Sequence, residues 1–325
     1  MAQRRAALLR LLAGPLALST AGSRAEDDRS AITLLIGVGG SMDFVARLIA
    51  DQLREALGRP ALVLAKPGAG QRLALAEVRR AAPDGRSLLF CTSGPLTIYP
   101  NIYTRLDYDP VADFTPICGI SSFDVAIATG PHTGATTLAQ LIAWSRSRGS
   151  GELVYGSVPG NGSLSHFVGI AMSLAANLPM THVPYKDSGV ATIDLAAGRV
   201  PMMITGLNAF VEMHRAGKLR LLAVSGEQRS PQVPEVPTLK EAGINVSGST
   251  TTGVYGPPRM APDLVRRLHD AIMPMLANAA VRERIAGQSM TLWPATGQQL
   301  ALSLADERKK FEKLVKASGY VPESV

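Results

Sequence analysis

Short apolar runs of strand length alternate with segments of helical periodicity, and this alternation restricts the fold more than any single residue does. The first five segments are residues 32–36, 42–57, 61–64, 72–81 and 88–91, in turn strand-like and helix-like. Strands separated by helices need crossover connections, so the pattern predicts an α/β protein with a mostly parallel sheet. In 42–57, Val45, Leu48, Ile49, Leu53, Ala56 and Leu57 fall on one helical face and read as core, with Gly58 placed to end the helix. After residues 124–129 the alternation restarts with a helix over 137–146, a strand over 153–156, a helix over 163–176, and strands over 181–183, 200–204 and 219–224. A second α/β unit follows. A proline-rich stretch over 231–237 then leads through 251–255 into helical segments over 262–277, 279–286 and 297–318. At 325 residues with 46% hydrophobic content, the chain has material for two domains.

The net charge of +7 raises nucleic acid or an anionic membrane as partners, but its location argues otherwise. Residues 1–25 hold Arg4, Arg5, Arg10 and Arg24 and no acid; without them 29 basic residues face 26 acidic, or +3. No run of five like charges and no basic stripe with interleaved aromatics occurs, so no nucleic acid is expected as a partner. Those first residues also have the parts of a secretory signal: a basic pair, an apolar stretch over 6–18, and small residues ending at Ser23-Arg24-Ala25. Export to the periplasm is the expectation. The apolar stretch is shorter than the ~20 residues of a membrane-spanning helix. Cys91 and Cys118 are the only cysteines, so no CxxC or thiol metal framework exists. Two buried unpaired thiols are expected, with a disulfide as the alternative.

In open α/β sheets ligands bind beyond the carboxyl ends of the strands. Two loops there stand out: Gly37-Val38-Gly39-Gly40-Ser41-Met42-Asp43, and Gly156-Ser157-Val158-Pro159-Gly160-Asn161-Gly162-Ser163. Each runs from a strand into a helix, whose first N–H groups can hold an anion. Two such ends facing each other suit a molecule with two carboxylates. The glycines serve equally well for tight turns, and the residues alone leave both readings open. Position 42 is not glycine, so the first loop is no dinucleotide fingerprint, and no phosphate loop occurs elsewhere. No cofactor and no metal are expected. Asp43 is placed to cap its helix; Ser41, Ser163 and Ser165 either cap or donate to a ligand, Ser163 being the favoured contact. Tyr185 and Lys186 either reach a cleft or form a strand-end turn.

Enzyme signatures are missing: there is no GxSxG elbow and no HExxH, and the histidines at 132, 166, 182, 214 and 269 stand apart. Ser165 and His166 are adjacent, and adjacent residues on a helix do not face each other. His166 therefore reads as a structural hydrogen-bonding residue.

A series of short motifs runs through the chain in fixed order. They are Gly39-Gly40 with Asp43, Lys66-Pro67-Gly68-Ala69-Gly70, Ala81-Ala82-Pro83-Asp84-Gly85, Thr92-Ser93-Gly94, and Tyr108-Asp109-Pro110 with Asp113-Phe114. Then come Gly160-Asn161-Gly162-Ser163 with Ser165-His166, Thr181-His182-Val183-Pro184-Tyr185-Lys186, Gly217-Lys218-Leu219-Arg220 and Pro234-Glu235-Val236-Pro237-Thr238. In this order, from about residue 32 to 320, the chain resembles the Bug family, the solute receptors of tripartite tricarboxylate transporters. The resemblance implies a periplasmic-binding-protein fold, type II-like, with two α/β lobes joined by two crossover strands and a ligand cleft between. Lobe 1 would comprise residues 26–126 and 252–325 and lobe 2 residues 127–251, with crossovers near 126–129 and 250–255.

It also implies binding of a small carboxylate, no catalysis, and delivery to membrane permease subunits. Gly39, Gly40, Ser41, Met42, Thr92, Ser93, Asn161, Gly162, Ser163, Tyr185 and Thr205 are the implied cleft lining. Three departures from the family pattern stand out. The run before the paired glycines is about two residues short against glycine-loop templates; Met42 replaces a common threonine; and Pro201 and Thr205 stand where acids are frequent. A ligand amino group would lose its carboxylate partners there, which favours a plain organic acid. A sensor that engages a signalling kinase is the alternative function, and an α/β hydrolase or transferase a more distant one.

Overall fold

The computed structural model describes residues 30–148 and 152–324, so the expected export signal over residues 1–25 lies outside the described residues. The first half runs β1 (Ile32–Ile36), α1 (Ser41–Leu57), β2 (Ala61–Ala65), α2 (Arg72–Arg80), β3 (Ser87–Thr92), two short helices α3 (Gly94–Thr97) and α4 (Tyr99–Ile102), and β4 (Thr115–Phe123). Then follow β5 (Val125–Thr129), α5 (Leu138–Ser147), β6 (Leu153–Ser157), α6 (Leu164–Ala176), β7 (Met180–Pro184), α7 (Ser188–Ala196), β8 (Met202–Gly206), α8 (Val211–Arg215) and β9 (Arg220–Val224). The chain closes with β10 (Thr250–Gly256), α9 (Pro262–Ile272), α10 (Ala279–Ala286), β11 (Thr291–Thr296) and α11 (Gly297–Ser318).

Two separate sheets result, ordered β11-β4-β10-β3-β1-β2 and β7-β6-β8-β5-β9. They are mixed, which corrects the expectation of mostly parallel pairing. Parallel ladders join β1 to β2 and β3, and β6 to β7 and β8. The strands by which the chain changes sheets run the other way, so β10 pairs antiparallel with β3 and β4, and β5 antiparallel with β8 and β9. The first change of sheet falls at Asp124, between β4 and β5. Ala126, assigned from the sequence to the first lobe, lies in the second sheet, because it pairs with Thr205 and Val224. The return falls just before β10, and the two passages touch: Ser249 Oγ donates to Asp124 Oδ1 at 2.6 Å. Desolvation raises the Asp124 carboxyl above the usual carboxylate range, with the Ser249 bond opposing it.

The first core packs α1, through Val45, Ala46, Ile49 and Leu53, and the later helices, through Leu268, Ile272 and Ile285, on one face of the first sheet. Ala56, expected on the buried stripe, is exposed at the end of α1. Gly58 does end that helix, in a left-handed conformation with its N–H donated to the Arg54 carbonyl at 3.0 Å. The second core does not respect the sequence boundary. Ile98, Tyr99 and Ile102 from α3–α4, and Val315 from α11, pack with Leu164, Phe167 and Val168 of the second lobe. Meanwhile Leu300 and Leu304 of α11 belong to the first lobe's outer core. Helix α11 thus bridges the two units.

Cys91 and Cys118 are free and buried. They sit on strands either side of β10, where Cys91 pairs with Gly253 and Cys118 with Val254. Two strand spacings separate their Cα atoms by about 10 Å, beyond the ~7 Å a disulfide permits. They also pack in cores on opposite faces of the sheet. Burial pushes the Cys118 thiol up to about 12 and that of Cys91 higher still.

Candidate functional site

The carboxyl ends of the parallel strands in the two sheets are turned toward each other. After β1, Ser41 Oγ accepts a hydrogen bond at 3.1 Å from Asn208 Nδ2, which lies just beyond β8. The same hydroxyl donates at 3.1 Å to Gln288 Oε1 of its own lobe. At a second point, Gly162, in the loop after β6, lies against α4, so that a Cβ on it would stand 2.1 Å from Ile102 Cδ1. These two contacts join the lobes at the strand ends.

The loop after β1 is shaped by Gln71, which sequence reasoning missed. Gln71 is buried with φ 74°, donates through Nε2 to Thr92 Oγ1 at 2.6 Å, and ties the β1 loop to the end of β3. Gly37 is required beside it, since a Cβ there would come within 2.6 Å of the Gln71 Cα. A Cβ on Gly39 or Gly40 meets nothing within 4 Å, so these residues face open space. Beyond them the first amides of α1 have no acceptor within the helix. Met42 differs from expectation in its side chain, which is buried among Val45, Ile49 and the later helices and leaves only backbone for the cleft. Asp43 does not cap α1; its carboxylate pairs with Arg47 one turn on, at 2.8 and 3.1 Å.

At the end of β3, Ser93 is buried and its N–H donates to the Thr251 carbonyl at 2.8 Å. Beneath it lies Glu307 of α11, which accepts from Thr251 Oγ1 at 3.1 Å. Desolvation raises this carboxyl above its usual range, and hydrogen bonds from Ser93, Thr251 and Thr97 pull the other way. Ser93 is therefore committed partly to the protein. Nothing near position 93 in the sequence points to a partner more than 200 residues on.

The second loop is fastened by histidines. Gly162 N–H donates to His166 Nδ1 at 3.2 Å, and Ser157 Oγ lies 2.7 Å from His182 Nε2. The two imidazoles stack with centroids 4.1 Å apart. Burial lowers both to about 4, and for His182 the neighbouring His166 adds to the effect. A neutral His166 is what the geometry needs, because its Nδ1 accepts a hydrogen bond from the Gly162 N–H. His166 is thus the structural hydrogen-bonding residue expected. Ser163, favoured as a ligand contact, caps α6: it accepts from His166 N–H at 3.1 Å and donates to the Gly160 carbonyl at 2.7 Å. Asn161 is exposed beside it.

Tyr185 donates its hydroxyl to Asp194 Oδ2 at 3.0 Å on α7, and Lys186 is exposed. Thr205 is buried near the end of β8, and its hydroxyl has no hydrogen-bond partner among the described residues. The structure brings Gly37 and Thr92 together on Gln71, and Gly162 and Ser163 together on His166. The one Ser–His contact at this loop, Ser157 with His182, is turned inward, because Ser157 is fully buried; no metal-binding cluster occurs among the described residues.

Two α/β units with facing strand ends and a cleft between them are the architecture of a two-lobed binding protein. Residues 45–320 match the family TctC, the tripartite tricarboxylate transporter family receptor. The chain belongs to this family, whose members are receptors and not enzymes. It is 32% identical over 291 residues to the "UPF0065 protein in gbd 5'region" of Cupriavidus necator, covering 89% of this chain and 87% of the relative. To "Protein BugT" of Bordetella pertussis it is 31% identical over 283 residues, 86% of each chain. Among solved structures, "R. palustris Rpa4515 with adipate" superposes with TM-score 0.82 at 26% identity, covering 90% of this chain and 99% of that one. MatC from Rhodopseudomonas palustris with bound malate gives 0.78 at 27%, covering 88% and 99%.

Proposed function

We propose that this receptor captures a small organic carboxylate between its lobes in the periplasm and presents it to the membrane subunits of a tripartite transporter. The observation that carries the reading is the pair of glycine loops, each opening a helix N-terminus at the facing strand ends. Helix N-termini offer oriented N–H groups and a positive partial charge, which suits carboxylates without any basic side chain. The contacts expected are the backbone around Gly39 to Met42 and the first amides of α6, with Thr92, Asn161 and Thr205 supplying polar side chains. Adipate and malate, bound by the two R. palustris relatives, are both dicarboxylates. An amino acid is disfavoured, because Thr205 and Pro201 offer no charge to an ammonium group. The export signal over residues 1–25 belongs to the same reading, and no helix among the described residues is long and apolar enough to cross a membrane.

A thermal-shift screen of mono-, di- and tricarboxylates, aromatic acids and amino acids tests it. Adipate or malate is expected to raise the melting temperature by a few degrees at 100-fold excess over Kd, where linkage supplies about 2.7 kcal/mol. No shift with any acid, together with no acid released from the denatured protein by mass spectrometry, overturns the reading.

A further inference from the structure

The cleft edge beside Ser41 carries a second set of cross-lobe bonds, made by a residue in neither glycine loop. Gln232 lies half-buried in the proline-rich connection between β9 and β10 and reaches the first lobe with both ends of its amide. Nε2 donates to the carbonyl oxygen of Ala286, the last residue of α10, and Oε1 accepts from Ser289 Oγ at 2.6 Å. The end of a helix has unpaired carbonyls and a negative partial charge, so an amide N–H is a matched partner there. Its own lobe fixes the Gln232 backbone: the N–H donates to Ser230 Oγ at 3.4 Å and the carbonyl accepts from Arg215 Nη2 at 3.2 Å.

Ser289 is held at φ 56°, a left-handed conformation that a residue with a Cβ adopts at a cost. Around these bonds runs an open groove of about 470 Å³, lined from the second lobe by Asn208, Val211 and Gln232 and from the first by Ala286, Gln288 and Ser289. Asn208 is also the partner of Ser41 across the cleft.

We propose that Gln232 is a closure latch: without touching ligand, its two bonds, to the end of α10 and to the turn after it, set the fraction of the protein that is closed. The proposal rests on the receptor reading above. A ligand enters the open form and is held by the closed one, so bonds made only on closure raise affinity at a distance. Their loss acts on the dissociation rate and leaves diffusional encounter alone.

The test is a pair of spin labels across this lip, on cysteines introduced at exposed Arg282 in α10 and exposed Lys218 after α8. Cys91 and Cys118 are fully buried and do not compete for label. Pulsed electron spin resonance without ligand is expected to give longer distances for Gln232→Ala and for Gln232→Glu, which loses the donor and sets a carboxylate on a negative helix end. Ser289→Ala, which removes one bond, should fall between, and it carries the test if the position-232 variants fail to fold.

With adipate as probe, Gln232→Ala should bind about tenfold more weakly through faster release, the size of one to two modest hydrogen bonds, at unchanged association rate. Identical unliganded distances in all three variants and the unsubstituted protein overturn the latch, whatever adipate does. Absence of any adipate or malate response in the unsubstituted protein strikes the receptor reading instead, and the distance measurement still decides the latch.

Discussion

The two glycine loops look alike in sequence and are built differently. The loop after β1 presents Gly39 and Gly40 to empty space and is shaped by one buried side chain, Gln71. The loop after β6 has little slack: Gly162 is pressed against Ile102, its N–H is taken by His166, and Ser163 is spent on capping. The first loop therefore leaves room beside its helix N-terminus, whereas the second is filled by its own packing against Ile102. A glycine thus means room in one loop and a required close approach in the other.

Substitution at Gly162 should break the comparison most severely. It has φ 71°, and Ile102 is 1% exposed and cannot yield without repacking. Gly162→Val is expected to cost about 2–3 kcal/mol in urea unfolding and to abolish the ligand-induced thermal shift.

Acid should come next, acting on the second loop through its two histidines. His166 and His182 titrate in the fold near 4 against an ordinary 6.5, so between these values the unfolded chain binds more protons. Stability is full above about 6.5 and falls as pH drops toward 4, by on the order of 2 kcal/mol. Melting curves at pH 7 and 4.5 measure this. His166→Gln, which keeps an acceptor for Gly162 without a titrating ring, should flatten part of the dependence.

Gly39→Val should produce the smallest structural effect, with stability within about 0.5 kcal/mol, because its Cβ meets nothing within 4 Å. Its effect falls on the ligand, with an expected tenfold loss of affinity. Calorimetry showing unchanged affinity would remove Gly39 from the cleft lining. Gly40→Val is a poorer probe, since φ 68° adds backbone strain to the intended obstruction.

Local pattern settled a large part of this molecule. Strand β1, helix α10 and helix α11 are legible to the residue, and α1 to within one residue, because each ends at a glycine and β1, α1 and α11 also carry an apolar run or face. Strand β4 was not legible: Thr115–Phe123 contains Pro116, Gly119, Ser121 and Ser122, and reads as loop until β10 and β11 pair with it. Helix α7 was missed as well, because Ser188–Ala196 mixes glycine and β-branched residues with no strong apolar stripe.

Residue type and spacing alone carry the α/β class, the two glycine loops at strand ends and the order of motifs that places the chain in its family. These are local properties, written in residue type and spacing over a few positions. What those residues do follows from long-range packing. Met42 enters the core, Ser93 leans on Glu307, and His166 takes the Gly162 amide against a stacked His182. Gln232 spans the lips of the cleft. Each of these facts depends on which surfaces the two sheets bring together, and contacts between residues far apart in the chain leave no period or spacing to read.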